Sequence, residues 1–192
     1  LRSTGLASIV EYDPPNQTIT AGAGISLEEL QEVLKPNRQW LPIRPFLGKT
    51  TTLGSMLALG ACGPERLRYG APRDLLLGLR FVSGTGRLIS TGGKVVKNVA
   101  GYDLGRLLAG SAGTLGFLTE LTVRVSALPE SCLEARSFGS LDRIASAAGE
   151  LLRSNIEPTF VVASPIDRAT PAAGTEKEQA PWRLSVGLEG FG

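Results

Sequence analysis

The first part of the chain shows a β-type and then a helical pattern of hydrophobic positions. Two short β-favouring runs flank a turn-forming Asp-Pro-Pro-Asn sequence, and they predict a hairpin of Ile9–Tyr12 and Thr18–Ala21. Ser26, with Glu29 three residues later, is a capping box, and the hydrophobic positions that follow repeat at helical spacing. We therefore predict a helix of about two turns that ends near Pro36, because proline disfavours helical geometry in the preceding residue.

Further hydrophobic runs in the middle of the chain are separated by glycine-rich bends. Leu53–Ala61 is predicted as a short buried helix, and Asp103 is predicted to cap a short helix that ends at Ala109. Leu75–Ser83 leads through Gly-Thr-Gly into another β-favouring run, which is typical of a hairpin. Apolar and polar residues alternate in 117–125, which predicts a strand with one solvated face. Its buried face is predicted to contain Phe117, Leu121, Val123 and Val125.

The composition changes after Pro129, where we place a domain boundary. Cys132–Phe138 is predicted as a strand, Ser140 as the start of a helix, and Thr159–Ala163 and Arg183–Leu188 as two further strands. This βαββ order indicates an α+β second domain. The buried stripe of the helix is predicted to be Leu141, Ile144, Ala145, Ala148, Leu151 and Leu152.

Composition and charge narrow the classes of function. The 20 Lys and Arg against 18 Asp and Glu give a net charge of +2, which argues against a nucleic-acid-binding surface. No histidine occurs, which excludes Ser-His-Asp triads, zinc or haem held by histidine, and flavin linked through an imidazole. The solitary Cys62 and Cys132 form no metal or redox motif, so no metal site is predicted. The longest apolar run, Leu53–Ala61, is far shorter than the ~20 residues that span a bilayer.

The segment with the strongest signal for ligand binding is Gly110-Ser111-Ala112-Gly113-Thr114-Leu115-Gly116. Glycines let backbone N–H groups approach a ligand, and successive N–H groups can form an anion-binding concavity. Ser111 and Thr114 would add side-chain donors. The alternative interpretation is a tight connection between a helix and a strand.

Two other glycine-containing segments allow similar interpretations. Thr51–Ser55 precedes several small residues, so a flat or extended ligand could lie against its backbone, or a helix could pack closely there. Tyr69 and Gly70 are followed by Arg73 and Asp74, which taken alone form a solvated ion pair.

A last segment groups Lys97, Asn98 and Tyr102 around small residues. These could contact a ligand, or Tyr102 could be a core aromatic residue and Lys97 a surface charge.

Together and in this order, these segments resemble the FAD-linked oxidases of the vanillyl-alcohol oxidase and p-cresol methylhydroxylase (PCMH) type. The resemblance extends over most of residues 9–129. Within this family, residues 63–66 and 97–104 resemble the FAD-binding subunits of bacterial glycolate oxidases. The matching residues are Glu11-Tyr12-Asp13-Pro14, Ala21-Gly22-Ala23-Gly24, Leu41-Pro42, Pro45, Thr52-Leu53-Gly54-Ser55, Tyr69-Gly70, Arg73-Asp74 and Gly110–Gly116.

The resemblance implies an α+β fold with FAD as the cofactor. Residues 1–129 would form a PCMH-type FAD-binding domain, namely its second subdomain with the first one truncated, and residues 130–192 would begin an α+β cap domain. Residues 52–55 would follow the ribityl and pyrophosphate groups, residues 110–116 would close round the same cofactor, and Arg73 and Asp74 would orient the surrounding loops. The implied cofactor-binding residues are Pro45, Thr52, Leu53, Gly54, Ser55, Tyr69, Gly70, Arg73, Asp74, Lys97, Asn98, Tyr102, Gly110, Ser111, Gly113, Thr114, Leu115 and Gly116.

The sequence departs from the family pattern at three places. Ser55 occupies a position where a second glycine is more common, and Ala112 one where an acidic residue often occurs. The family's first glycine-rich pyrophosphate loop would precede Ile9 and is not found. We therefore expect weak FAD binding by these residues alone, because each lost charge-assisted hydrogen bond costs about 1.5–3 kcal/mol.

The function implied by the resemblance is that of an FAD-binding subunit of a glycolate oxidase or dehydrogenase complex, which oxidises a small 2-hydroxy acid to a 2-oxo acid. The implied partners are a second flavoprotein and an iron–sulfur subunit. No catalytic base is identified. A cytoplasmic location is expected, with association at the inner face of the membrane as an alternative. Two other functions stay open: a self-sufficient FAD-dependent hydroxy-acid or alcohol dehydrogenase or oxidase, and a catalytically silent assembly subunit.

Overall fold

The computed structural model describes Ser3 and residues 5–44, 50–92, 103–166 and 181–190. It divides into two compact units, the first formed by Leu1–Gly63 and Gly70–Leu128 and the second by Pro64–Tyr69 and Pro129–Gly192. The helices and strands are, in chain order, β1 (Ile9–Asp13), β2 (Thr18–Gly22), α1 (Leu27–Leu34), β3 (Gln39–Trp40), α2 (Leu53–Leu59), α3 (Arg66–Tyr69), α4 (Pro72–Leu75), β4 (Leu76–Ser83), β5 (Leu88–Gly92), α5 (Leu104–Leu108), β6 (Gly116–Arg124), β7 (Ser126–Ala127), β8 (Ser131–Gly139), α6 (Leu141–Arg153), β9 (Phe160–Pro165) and β10 (Trp182–Gly190).

The first unit is built on a five-stranded sheet with the strand order β1-β2-β6-β4-β5. All of its neighbouring strands are antiparallel. Both predicted hairpins are present, as the pairs β1–β2 and β4–β5. The hydrophobic core draws on the sheet and on helices α1, α2, α4 and α5, and its most buried members include Ile19, Leu30, Leu34, Leu53, Met56, Leu57, Leu121 and Val123.

The start of α1 confirms the predicted capping box. Ser26 Oγ accepts a hydrogen bond from the Glu29 backbone N–H at 3.1 Å, and Glu29 Oε2 accepts one from the Ser26 N–H at 3.1 Å. The helix ends at Leu34, and a 3₁₀ turn over Lys35–Asn37 follows it. The predicted end near Pro36 is therefore also confirmed.

The buried face predicted for β6 is wrong at the amino-terminal end of the strand. Leu118, rather than Phe117, is buried together with Leu121 and Val123. The cause is an irregular register: the pairing of β6 with β4 shifts between Arg80 and Phe81. Such an irregularity adds an extra residue to one strand, so the alternation of buried and exposed side chains is interrupted there.

The second unit contains the predicted βαββ order, with α6 packed against an antiparallel sheet of strand order β8-β10-β9. Its core is formed by Ile144 of α6 and by Leu184 and Val186 of β10. The apolar stripe of α6 is narrower than predicted. The predicted Ile144, Ala148 and Leu151 do pack against the sheet, whereas Leu141, Ala145 and Leu152 are exposed. Ala147 packs there as well, so the packed positions are 144, 147, 148 and 151. These positions have the i, i+3, i+4, i+7 spacing of a single helix face.

Among the described residues, no helix is both long enough and apolar enough to cross a membrane.

The packing of α6 generates a stability prediction. Ile144 is 1% exposed, whereas Leu152 on the same helix is 55% exposed. Ile144→Ala should lower the free energy of unfolding of the second unit by about 2–5 kcal/mol, because it leaves a cavity in a small core. Leu152→Ala should change it by less than about 0.5 kcal/mol. Urea denaturation followed by the fluorescence of Trp182, in a Trp40→Phe background, measures the free energy of unfolding of both variants. Equal losses of stability in the two variants would contradict the packing described.

Candidate functional site

The first unit contains a cavity of about 440 Å³ beside the amino end of α2, which we call the α2 cavity. Three segments that are distant in the sequence meet at it: the start of α2, the end of β4 with its turn, and the loop that leads into β6. Its lining residues are Ser3, Ala23, Thr52, Gly54, Ser55, Ala58, Val82, Ser83, Gly84, Gly113, Thr114, Leu115, Gly116, Phe117 and Leu118.

The first turn of α2 is fixed against the turn that follows β2. Gly54 N–H donates to the carbonyl of Ala23 at 2.8 Å, and Leu53 N–H donates to the carbonyl of Ile25 at 2.9 Å. A side chain at position 54 would place its Cβ 2.8 Å from both the Cβ and the carbonyl oxygen of Ala23. Glycine is therefore required at this position for the helix to approach so closely.

The amino end of α2 is closed by a reciprocal capping box between Thr52 and Ser55. Ser55 N–H donates to Thr52 Oγ1 at 3.2 Å, and Thr52 N–H donates to Ser55 Oγ at 2.9 Å. The Ser55 hydroxyl also donates to the Thr52 carbonyl at 2.9 Å and accepts from the Thr52 hydroxyl at 3.1 Å. Both hydroxyls at this edge of the cavity are thus bonded to each other and to the backbone.

The loop over residues 110–116 is held on the carboxyl end of α2. Gly110 N–H donates to the carbonyl of Leu57 at 3.0 Å, and Ala112 N–H donates to the carbonyl of Ala58 at 2.7 Å. Helix carbonyls near a carboxyl end need such external donors. The same helix therefore positions both of the glycine-containing segments that line the cavity.

The turn within this loop places Gly113 at the cavity wall. Thr114 donates to the Ser111 carbonyl through its backbone N–H at 3.1 Å and through its hydroxyl at 2.7 Å. Gly113 has φ +77°, in the left-handed region, and no atom lies within 4 Å of the position a Cβ would take. A residue other than glycine would strain the backbone here.

Seven of the predicted cofactor-binding residues line the α2 cavity together. Thr52, Gly54 and Ser55 come from one segment and Gly113, Thr114, Leu115 and Gly116 from the other.

Three other predicted residues have structural roles close to this cavity. Leu53 is completely buried in the hydrophobic core, because it begins α2 on the side that faces the sheet. Gly110 and Ser111 do not line the cavity; Gly110 attaches the loop to α2, and the Ser111 carbonyl accepts the bonds from Thr114.

Gly70, Arg73 and Asp74 do not line the α2 cavity. Asp74 Oδ2 accepts a hydrogen bond from the Ala71 N–H at 2.8 Å, so this carboxylate caps α4. Arg73 Nε lies 3.7 Å from Asp74 Oδ1, and both side chains are largely exposed. This arrangement is the solvated ion pair that the sequence also allowed.

Tyr69 belongs to the second unit. Its hydroxyl donates a 2.5 Å hydrogen bond to Glu189 Oε2 of β10. Burial, the hydrogen bond to Glu189 and the negative charge of that carboxylate raise the pKa of Tyr69 well above its ordinary value of 10.0. Tyr69 thus attaches the short helix α3 to the sheet of the second unit.

Four predicted residues, Pro45, Lys97, Asn98 and Tyr102, lie outside the described residues.

Several lining residues were not among the predicted cofactor-binding residues. Ala23 lies in the Gly-Ala-Gly sequence after β2, which forms a turn closed by the bond from Ile25 N–H to the Gly22 carbonyl at 3.2 Å. Gly22 and Gly24 attach this turn to the preceding segment by donating to the carbonyls of Ser8 and Leu6 at 2.9 Å. Ser83 reaches the cavity because it pairs with Gly116 across the β4–β6 ladder. Such a long-range pairing leaves no local signal in the sequence.

Among the residues that the structure describes, the lining of the α2 cavity contains no charged side chain, no cysteine and no histidine. It therefore supplies no general acid or base among the described lining residues. Its walls of glycine, alanine and apolar side chains suit close contact with an extended organic ligand, with polar recognition left to the backbone.

Comparisons with known proteins identify the ligand class. Residues 1–92 match the family model described as an FAD binding domain. Two solved structures of alkyldihydroxyacetonephosphate synthase share the fold, each with a TM-score of 0.78 at 23% sequence identity over 96% of this chain and 37–38% of that chain. Residues 1–92 therefore form an FAD binding domain, the fold is α+β, and FAD is the cofactor. The predicted FAD-binding domain, fold class and cofactor are confirmed.

Two relatives indicate where such domains occur. Glycolate oxidase subunit GlcE of Escherichia coli is 43% identical over 74% of this chain and 41% of its own length. D-lactate dehydrogenase of Archaeoglobus fulgidus is 40% identical over 64% of this chain and 28% of its own length. The chain thus spans less than half the length of both relatives.

The glycine-lined walls fit the cofactor that the comparisons indicate. A side chain at position 54 would collide with Ala23. At position 113 the absence of a side chain keeps the cavity wall open. Thr52–Ser55 and Gly113–Gly116 would hold FAD, and the bound flavin would supply two-electron redox chemistry.

The bond between Tyr69 and Glu189 generates a pH prediction. The pKa of Tyr69 is higher in the folded than in the unfolded protein, so this phenol stabilises the second unit below pH 10. The stabilisation is lost as the pH rises above about 10, the pKa of tyrosine in the unfolded chain. The free energy of unfolding of the second unit should therefore fall as the medium becomes more alkaline than this. In Tyr69→Phe the alkaline fall should be smaller. Urea denaturation below and above pH 10 measures the free energy of unfolding of both proteins. If it fell equally steeply with pH in Tyr69→Phe and in the unchanged protein, the prediction would be wrong.

Proposed function

We propose that the protein is an FAD-dependent oxidoreductase that oxidises a small 2-hydroxy acid to a 2-oxo acid, as the FAD-binding subunit of a glycolate oxidase type of complex. The observation that supports it best is the meeting of Thr52–Ser55 and Gly113–Gly116 at one cavity. The name of the Escherichia coli relative, a glycolate oxidase subunit, supports the substrate and the role as a subunit.

The division of chemical roles follows from the lining of the α2 cavity. The first turn of α2 and the 113–116 segment bind and orient the cofactor through close backbone contact, and the apolar residues Val82, Leu115 and Phe117 exclude water from it. Because the lining residues that the structure describes include no titratable side chain, the group that accepts the substrate hydroxyl proton is assigned to other residues.

The proposal extends to the organisation of the whole protein. Residues 1–129 are proposed as the PCMH-type FAD-binding domain, and residues 130–192 as part of an α+β cap domain. The proposed partners are a second flavoprotein and an iron–sulfur subunit, and the proposed location is the cytoplasm, with peripheral association at the inner face of the membrane.

A second candidate function is a self-sufficient FAD-dependent dehydrogenase. It is favoured by the similarity to D-lactate dehydrogenase of Archaeoglobus fulgidus, whose name does not describe a subunit. The two candidates differ in whether partner polypeptides are needed for reduction of the flavin.

Anaerobic reduction of the flavin distinguishes the candidates. The complete polypeptide is purified alone and with the polypeptides that co-purify with it, and glycolate or D-lactate is added while the visible absorbance of the flavin is recorded. The subunit proposal predicts bleaching by glycolate only when the partners are present. Bleaching of the isolated polypeptide by either acid supports the self-sufficient enzyme, and bound flavin that no 2-hydroxy acid bleaches under any condition indicates a silent assembly subunit.

The proposed cofactor contact at Gly113 generates a mutational prediction. Gly113→Val should abolish retention of FAD by the complete polypeptide, because the side chain would project from the cavity wall where nothing now lies within 4 Å. Gly86→Val is the matched control: Gly86 has the same φ of +77° and equally open surroundings, but it does not line the cavity.

The control variant carries the same backbone strain, so its stability should fall by a similar amount while its flavin content is kept. Flavin absorbance per protein after gel filtration gives the comparison. Normal flavin content in Gly113→Val would show that the cofactor does not lie at this wall.

A further inference from the structure

The wall that α2 contributes to the cavity offers no free hydrogen-bond donor. The N–H groups of Leu53 and Gly54 donate to the carbonyls of Ile25 and Ala23, and that of Met56 to the Thr52 carbonyl at 2.9 Å. The N–H groups of Thr52 and Ser55 are used within the capping box. A helix amino end normally has such groups available for an anion.

The hydroxyl of Ser55 is fully used as well. A serine hydroxyl has one hydrogen to donate and two lone pairs to accept with. Ser55 donates its hydrogen to the Thr52 carbonyl and accepts from the Thr52 N–H and the Thr52 hydroxyl. It therefore has no hydrogen left for a ligand, although it lines the cavity.

The opposite wall differs in this respect. Within the described part of the chain, the backbone N–H groups of Gly113 and Leu115 have no acceptor, and both residues line the cavity. The hydroxyl of Thr114, which lies between them, donates a hydrogen bond to the Ser111 carbonyl.

We infer that Ser55 is a positioning residue that withholds the Thr52 N–H from the bound cofactor, so that the phosphates of FAD are met by the Gly113 and Leu115 side of the cavity. This inference depends on the proposed binding of FAD in the α2 cavity. A glycine at position 55 would leave the Thr52 N–H without its acceptor.

The test is the substitution Ser55→Ala in the complete polypeptide, with affinities for FAD and for riboflavin, which has no phosphate, measured by quenching of flavin fluorescence. Loss of the hydroxyl releases the N–H and the hydroxyl of Thr52 toward the cavity. FAD should then bind about three- to tenfold more tightly, the gain expected from one added hydrogen bond to a charged group after ordering costs. Riboflavin affinity should change by less than about twofold. Ser55→Thr keeps a hydroxyl that can accept from the Thr52 N–H, so it should not show the tighter FAD binding of Ser55→Ala.

The matched control is Glu29→Ala. Glu29 has the same place in the capping box of α1, where it accepts from the Ser26 N–H at 3.1 Å, and neither residue lines the α2 cavity. This variant loses the equivalent capping bond and should bind both flavins as the unchanged protein does.

Each other outcome overturns the inference. Weaker FAD binding with unchanged riboflavin binding would show that Ser55 contacts a phosphate directly. Equal weakening of both ligands would give Ser55 only a helix-capping role, and unchanged binding of both would show that no donor is withheld.

Amide hydrogen exchange in the protein without flavin separates this inference from the proposed function. The Thr52 N–H should exchange slowly in the unchanged protein and fast in Ser55→Ala, while the Gly54 N–H stays slow in both. Fast exchange of Thr52 in the unchanged protein would overturn the inference even if FAD binds. Absence of FAD binding by the unchanged protein would instead refute the proposed function.

Discussion

The close approach of α2 to the turn after β2 is the constraint on which the candidate site depends. Gly54 donates to the Ala23 carbonyl at 2.8 Å, and a Cβ at position 54 would lie 2.8 Å from two atoms of Ala23. This contact fixes the amino end of α2, and the carboxyl end of the same helix holds the 110–116 loop through the carbonyls of Leu57 and Ala58. One seven-residue helix thereby determines where both glycine-containing segments lie.

The cavity that results is suited to holding a cofactor and not to acid–base chemistry. The described residues of its lining are uncharged, so the catalytic power of an FAD enzyme of this kind would come from the flavin and from groups that face it elsewhere. Rigid support by backbone hydrogen bonds is an advantage for such a role, because a cofactor held by backbone contact tolerates little displacement of its walls.

Local signals in the sequence predicted the elements well, and long-range pairing explains what they missed. The Ser26–Glu29 capping box and the start of α6 after Ser140 depend on residues a few positions apart, and both were predicted. The burial of Leu118 instead of Phe117 depends on an irregularity in the pairing with β4, which no local pattern encodes. At the site, the glycine motifs indicated the segments, but the saturation of the Ser55 hydroxyl depends on geometry that residue types do not specify.

Residues 52–55 and 113–116 are proposed to contact one and the same FAD molecule. A crystal structure of the complete polypeptide with FAD bound tests this most directly. Cofactor atoms should lie within about 4.5 Å of both Gly54 and Gly113, the usual limit for contact between heavy atoms. A cofactor that contacts neither residue, with the α2 cavity filled by water or by side chains of the protein, would contradict it.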